Sequence, residues 1–246
     1  ASKNGKTYDY DEEFAKKAAE VFGELLTLVE GGQTQYGLAE FKYKDIYNHE
    51  RSADANSCYS DIFYTKKQNW KMPGSIEAIF RGPSADFNGS NWNTSKVFGP
   101  KVDKVVAHDN VIHQPTANLI AAYGMANGKP AYIVENGKLV PNIAGGFDPT
   151  HPYKNRDPRF YHDIVFDGFQ YINTTIAKES DDYQFKYIQM YTGSNLRSSS
   201  ANGCRTGYYT QKLVPHQCNK YDGMYNWGGA LQCNLPYMRL ADIYLM

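Results

Sequence analysis

Asn155-Arg156-Asp157-Pro158-Arg159-Phe160-Tyr161 and Leu235-Pro236-Tyr237-Met238-Arg239-Leu240-Ala241-Asp242-Ile243-Tyr244-Leu245-Met246 are the two stretches whose reading decides the fold. The first is a dense cluster of turn formers and charges. Asn and Asp side chains bond to their own backbone and Pro fixes φ, so the segment predicts architecture rather than chemistry. Arg156 and Arg159 carry the planar donor fork that grips carboxylates or carbonyls across a loop. Asn155, Arg156, Asp157, Pro158 and Arg159 are therefore read as a structural motif. The second stretch predicts an amphipathic helix from near Asn234, with Pro236 in its first turn and Leu235, Met238, Ala241 and Leu245 on one face. It reaches Met246 without a cap, a glycine or a basic last turn. The expectation is an internal piece of a longer chain, forming one partial domain over 1–246.

Outward from these anchors, residues 11–30 give the clearest helix. Phe14, Ala15, Ala18, Ala19, Phe22, Leu25, Leu26 and Val29 form one stripe. Asp11, Glu12 and Glu13 lie at its start, where negative charge suits the helix dipole, and Gly31-Gly32 ends it. Tyr36, Ala39, Tyr43, Ile46 and Tyr47 share a face and predict a second helix packed back on the first. Residues 57–66 read as a short helix or a loop. Ile76–Phe80 reads as a strand and 81–113 as a long loop, a length that usually carries function when ordered. Pro115 opens a further helix with Leu119, Ile120, Tyr123 and Ala126 inward, stopped by Asn127-Gly128. Asn136-Gly137 between two apolar runs predicts a hairpin. Phe160–Phe166 and Phe169–Ile176 read as strands joined by the Asp167-Gly168 turn, and Phe185–Tyr191 as another β-like run.

Composition narrows the function. Lys plus Arg and Asp plus Glu number 26 each, and the zero net charge argues against a nucleic-acid binder, which needs a basic surface to neutralise phosphates. The chain is expected to bind no nucleic acid. It holds 21 Tyr, 12 Phe and 3 Trp, side chains that suit half-wet contact surfaces and the flat C–H faces of sugars. Most of the Tyr residues are expected between packed elements. Four Cys are too few for a disulfide scaffold. One bridge among Cys204, Cys218 and Cys233 and a set of buried thiols both remain open. No Cys-x-x-Cys, His-x-x-x-His, P-loop or Gly-x-Ser-x-Gly pattern is present. The six His (49, 108, 113, 151, 162 and 216) are scattered, and no metal or cofactor is predicted.

Several segments, in order, resemble the SusD/RagB family of surface nutrient-binding lipoproteins. Tyr36–Tyr47 is similar to its Tyr-rich scaffold helix. Ser75-Ile76-Glu77-Ala78-Ile79-Phe80 is similar to an Asn-x-Glu segment, with Ser in place of Asn. Pro115–Pro130 resembles a Pro-Thr helix and Gly-Pro turn, and Asn155–Phe160 an Asn-Arg-Asp-Pro-Arg hallmark. Thr206–Pro215 resembles a late strand, and Tyr237–Met246 an Arg-Leu-Ala-Glu-Ile helix with Asp242 in place of Glu. The resemblance implies a mainly α, SusD-like tetratricopeptide-type scaffold near 8–66 and 234–246. It implies a loop-rich binding portion with short β-hairpins near 67–233. It further implies an outer-membrane lipoprotein anchored through an N-terminal lipid outside this sequence, partnered by a SusC-like TonB-dependent transporter and carrying glycans or, as an alternative, peptides. A polysaccharide hydrolase and a pure interaction scaffold are the readings from other classes.

Aromatic residues in polar loops are the predicted ligand contacts. Trp92, between Asn91 and Asn93, offers a stacking face flanked by amides. Trp227 with Tyr225 precedes two glycines that permit close approach. Trp70 reads as a ligand contact or a loop anchor, and Arg81 as a donor to sugar hydroxyls or a salt-bridge partner.

Overall fold

A computed structural model describes residues 10–38, 43–45, 50–51, 64–65, 77–81, 99–100, 105, 113–194, 196–197, 203–212, 219–222, 232–233 and 236–246. Helix α1, Glu12–Glu30, begins at an Asp11 N-cap whose carboxylate accepts from the amides of Glu13 and Phe14. It ends at Gly31. Ala15, Ala18, Phe22, Leu25, Leu26 and Val29 are half-buried along one side, whereas Phe14 and Ala19 are exposed.

The helix expected over 36–47 is not found at Tyr43–Asp45. Those residues form strand β1, paired antiparallel with β2, Glu50–Arg51. Aromatic and β-branched side chains fit either element, and here cross-strand pairing decides. Within 57–66, Tyr64–Thr65 forms β3, paired with β9, Gln232–Cys233. Strand β4, Ala78–Arg81, falls close to its predicted place.

The principal core lies between residues 105 and 209 and is strongly aromatic. Phe160 stacks on Phe166 with ring centroids 5.1 Å apart, and Tyr153 meets Phe166 at 4.6 Å. Tyr161, Tyr171 and Tyr209 are buried there. Helix α2, Ala117–Ala122, is capped by Thr116 and ends four residues earlier than predicted. Ile120 points into the core, Met125 is buried in place of Ala126, and Ala126 is exposed. The hairpin forms as read: β5, Tyr132–Glu135, pairs with β6, Lys138–Pro141. Its two turn residues both take positive φ, 51° at Asn136 and 74° at Gly137, as a type I′ turn requires.

Residues 160–163 depart from the predicted strand. Pro158–Asp163 is a helix, α3, and only Ile164–Val165 (β7) is extended. An Asp157 N-cap and Pro158 at the first position start this helix, overriding the β character of the apolar run. Nor does β7 fold back on 169–176. It pairs with β8, Tyr209–Thr210. The segment after Gly168 lies along 186–190 instead, with Gly168 N–H donating to Ile188 O at 2.7 Å and Tyr171 N–H to Lys186 O at 2.9 Å.

The C-terminal stretch also begins differently. Pro236–Arg239 forms strand β10, paired antiparallel with β4, and helix α4 spans Leu240–Leu245. Leu240 and Ile243 are its buried residues, while Leu245 is exposed. Arg239 N–H donates to the Asp242 carboxylate at 2.8 Å, so the helix starts after Arg239. Cys204 is a buried free thiol whose Sγ donates to Tyr208 O. The bridge from Cys204 is thus not formed. Cys218 lies outside the described residues.

Candidate functional site

Trp70, Asn91, Trp92, Asn93, Tyr225 and Trp227 lie outside the described residues. The backbone of Arg81 ends β4, opposite Pro236 in the ladder. The Asn155–Arg159 motif is described in full, and its last residue, Arg159, lines an open cleft.

Arg156 is only 2% exposed. Its Nη2 donates to Ile120 O and Tyr123 O, both at 2.8 Å. Its Nε donates to Gly124 O at 3.3 Å and its Nη1 to Pro152 O at 3.0 Å. Three of these acceptors belong to the end of α2, where the dipole is negative and Ile120 O has only a 3.3 Å bond from Tyr123 N–H. The guanidinium also lies 4.9 Å from the Phe160 ring centroid. Burial pulls the Arg156 pKa below its ordinary value, yet an arginine stays charged at neutral pH.

The rest of the motif fixes that arginine. Asn155 takes the left-handed conformation, φ 54°, which Asn tolerates. Its carbonyl accepts from Ala126 N–H at 2.8 Å, and Asp157 N–H donates to Gly124 O at 2.9 Å. The Tyr161 hydroxyl accepts from Arg156 N–H at 3.0 Å and donates to Tyr153 O at 2.7 Å. Asp157 caps α3 and pairs with Arg159 at 2.6 Å. The Arg159 bond holds the Asp157 carboxyl below the usual carboxylate range.

Above this clamp, Leu119, Ala122, Tyr123, Arg159, Asp163 and Lys212 line a cleft of about 260 Å³. Leu119, Ala122 and Tyr123 sit three and four residues apart, and Arg159 and Asp163 four apart, so each helix offers one face. The Tyr123 hydroxyl donates to Asp163 Oδ2 at 2.8 Å. Asp163 is 6% exposed, and its Oδ1 meets no hydrogen-bond donor among the described residues. Burial pushes the Asp163 pKa up, opposed by Lys212 and by the Tyr123 bond. The Asp163 carbonyl accepts from the amides of Gln211 at 2.7 Å and Lys212 at 3.2 Å, which sets Lys212 beside the cleft.

Among the described residues, Arg159 is the one predicted residue that lines this cleft. Tyr123, Asp163 and Lys212 were not singled out. The Asp-Pro start of α3 was the available signal, because a helical 158–163 puts Arg159 and Asp163 on one face.

A second motif pair meets elsewhere. Glu77, 4% exposed, accepts from Arg239 Nη1 at 3.1 Å, and its carbonyl accepts from Leu240 N–H at 2.7 Å. These contacts join the Ser75–Phe80 and Tyr237–Met246 segments.

Comparison with known families gives a match to the SusD family over residues 76–246. No curated protein and no solved structure matches the chain.

Proposed function

Because this chain belongs to the SusD family, we propose that it is a non-catalytic glycan-binding protein of the cell surface, delivering oligo- or polysaccharide to a SusC-like TonB-dependent transporter. Members of the family are in general non-catalytic nutrient-binding lipoproteins of the outer membrane that work with such transporters. The family match carries the reading. In it, a tetratricopeptide-type helical scaffold supports a loop-rich face, anchored by lipid on the outer side of the outer membrane. Trp92 and Trp227 stack on sugar rings, with Asn91, Asn93, Tyr225, Trp70 and Arg81 around them.

The test is a titration of intrinsic Trp fluorescence with an oligosaccharide panel and a peptide digest. A saturable shift with one glycan class is expected. Trp92→Ala with Trp227→Ala should weaken binding at least about tenfold without unfolding, since aromatic contacts contribute about 0.5–1.5 kcal/mol each beyond burial. A response to peptides alone would replace glycan by peptide as the nutrient. Steady release of reducing ends from a glycan would replace the binder by a hydrolase.

A further inference from the structure

We propose that the cleft between α2 and α3 is a binding subsite for a single neutral sugar ring, separate from the tryptophan loops. This rests on the glycan reading above and assigns one ligand unit to named side chains. Size comes first. At about 260 Å³ the cleft lies below the ~300–1,000 Å³ of pockets that enclose drug-sized ligands, so it admits one ring and not a chain. Shape and polarity come next. Leu119 and Ala122 give an apolar wall beside the Tyr123 ring, and Arg159, Lys212 and Asp163 give donors and an acceptor close together. A sugar needs that combination, because each hydroxyl both donates and accepts while the ring's C–H face is apolar.

Charge favours a neutral ligand over an ionic one. Arg159 is matched by Asp157, and Lys212 acts electrostatically on Asp163. Among the described residues the charges at the cleft are therefore mixed in sign, and a carboxylate or ammonium ligand would meet a group of its own sign. Asp163 supplies the second observation. Its carboxylate is buried and one oxygen is satisfied by Tyr123, while Oδ1 has no donor among the described residues. Oδ1 is itself enclosed, so a ligand hydroxyl reaches it only as the Tyr123 and Asp163 side chains shift, and that contact gives a costly buried acceptor its missing donor.

Saturation-transfer NMR on the full chain tests this with methyl glucoside, methyl mannoside and methyl galactoside, and methyl glucuronide as the anionic counterpart. Leu119 is 49% exposed and Ala122 is also exposed, so Leu119→Trp and Ala122→Phe fill the cleft from α2 while leaving the core intact. Asp163→Ala removes the acceptor. At least one neutral glycoside should bind wild type, and each filling variant with unchanged circular dichroism should weaken it about tenfold or more, as should Asp163→Ala. Unchanged affinity in both filling variants overturns the subsite and leaves the glycan reading standing. Methyl glucuronide binding more tightly than every neutral glycoside overturns the choice of a neutral ligand. Failure of wild type to bind any oligosaccharide in the fluorescence titration overturns the glycan reading itself.

Discussion

Replacing Arg156 tests how the motif region is held together. Arg156→Met keeps an unbranched apolar stem against Phe160 but deletes donors to four carbonyls. Each hydrogen bond from a charged donor contributes about 1.5–3 kcal/mol, and an acceptor stranded in the interior costs about 1–3 kcal/mol. These do not add. The bonds to Gly124 O and Pro152 O are part-buried and open to replacement by water, and the variant no longer desolvates a cation. The bond to Ile120 O is fully buried, and its loss leaves that carbonyl with only the longer 3.3 Å bond from Tyr123 N–H. The expected loss is about 3 kcal/mol, the upper end for hydrogen bonds from a charged donor, because neutral carbonyls and no unpaired charge are left behind. Arg156→Lys should lose less, about 2 kcal/mol, because three tetrahedral donors cannot serve four acceptors arranged around a plane. Arg159 is the internal control. Its side chain is 69% exposed, so Arg159→Met should cost no more than about 1 kcal/mol despite its ion pair. Urea unfolding followed by circular dichroism gives all three numbers. An Arg156→Met protein within about 1 kcal/mol of wild type, or an Arg159→Met protein just as damaged, would refute the clamp.

Other expectations follow from the remaining contacts. Arg239→Ala removes the guanidinium that donates to buried Glu77 and should destabilise by about 3–5 kcal/mol, with Glu77→Gln in the same background restoring part of the loss in the same urea assay. Asp157→Ala should cost about 1 kcal/mol as a lost N-cap. Because the folded Asp157 pKa is depressed, its contribution should be present above about pH 3.9 and disappear as pH falls through the lower folded value. Asp163 has the opposite sign. Its raised folded pKa makes wild type lose stability as pH climbs from about 3.9 through the folded value, and Asp163→Asn, which keeps an acceptor for Tyr123, should flatten that loss in a pH series of unfolding curves. Gly137→Ala should cost about 1 kcal/mol of thermal stability through its positive φ.

What could be read in the sequence was local. Asp11 and Gly31 bracket nineteen residues with one apolar stripe, and both ends of α1 came out where those signals lie. Asn136-Gly137 likewise needs nothing beyond its own turn. The failures share a physical cause, which is a distant partner. Pro236–Arg239 has the composition of a first helical turn, but β4, more than 150 positions earlier by the Arg239–Glu77 contact, draws it into a strand. Phe160–Phe166 is an apolar run too short for periodicity to separate helix from strand, and only the Asp157 cap with Pro158 marks the helix. The cleft was hidden for the same reason, since its walls come from 119–123, 159–163 and 212.

The fork expected of Arg156 illustrates why charge density in a sequence is a poor guide to an active site. A loop containing Asn, Arg, Asp and Arg invites a chemical reading, yet its most buried member spends its donors on backbone carbonyls 4 to 36 positions away. Glu77 and Arg239 behave alike across 162 positions. Arg156 and Glu77 are buried charges, which are costly to desolvate and so are kept where they fix one arrangement of the chain. Arg156 fixes the end of α2 against α3, and that junction is what places Tyr123 opposite Asp163. If the cleft binds a sugar, loosening the clamp should weaken binding even though Arg156 never touches the ligand. Arg156→Lys, assayed under conditions where it stays folded, should therefore lose glycoside affinity, whereas Arg239→Lys at the other buried pair should leave it unchanged. Equal losses in both would mean that general destabilisation, and not the α2–α3 junction, governs the cleft.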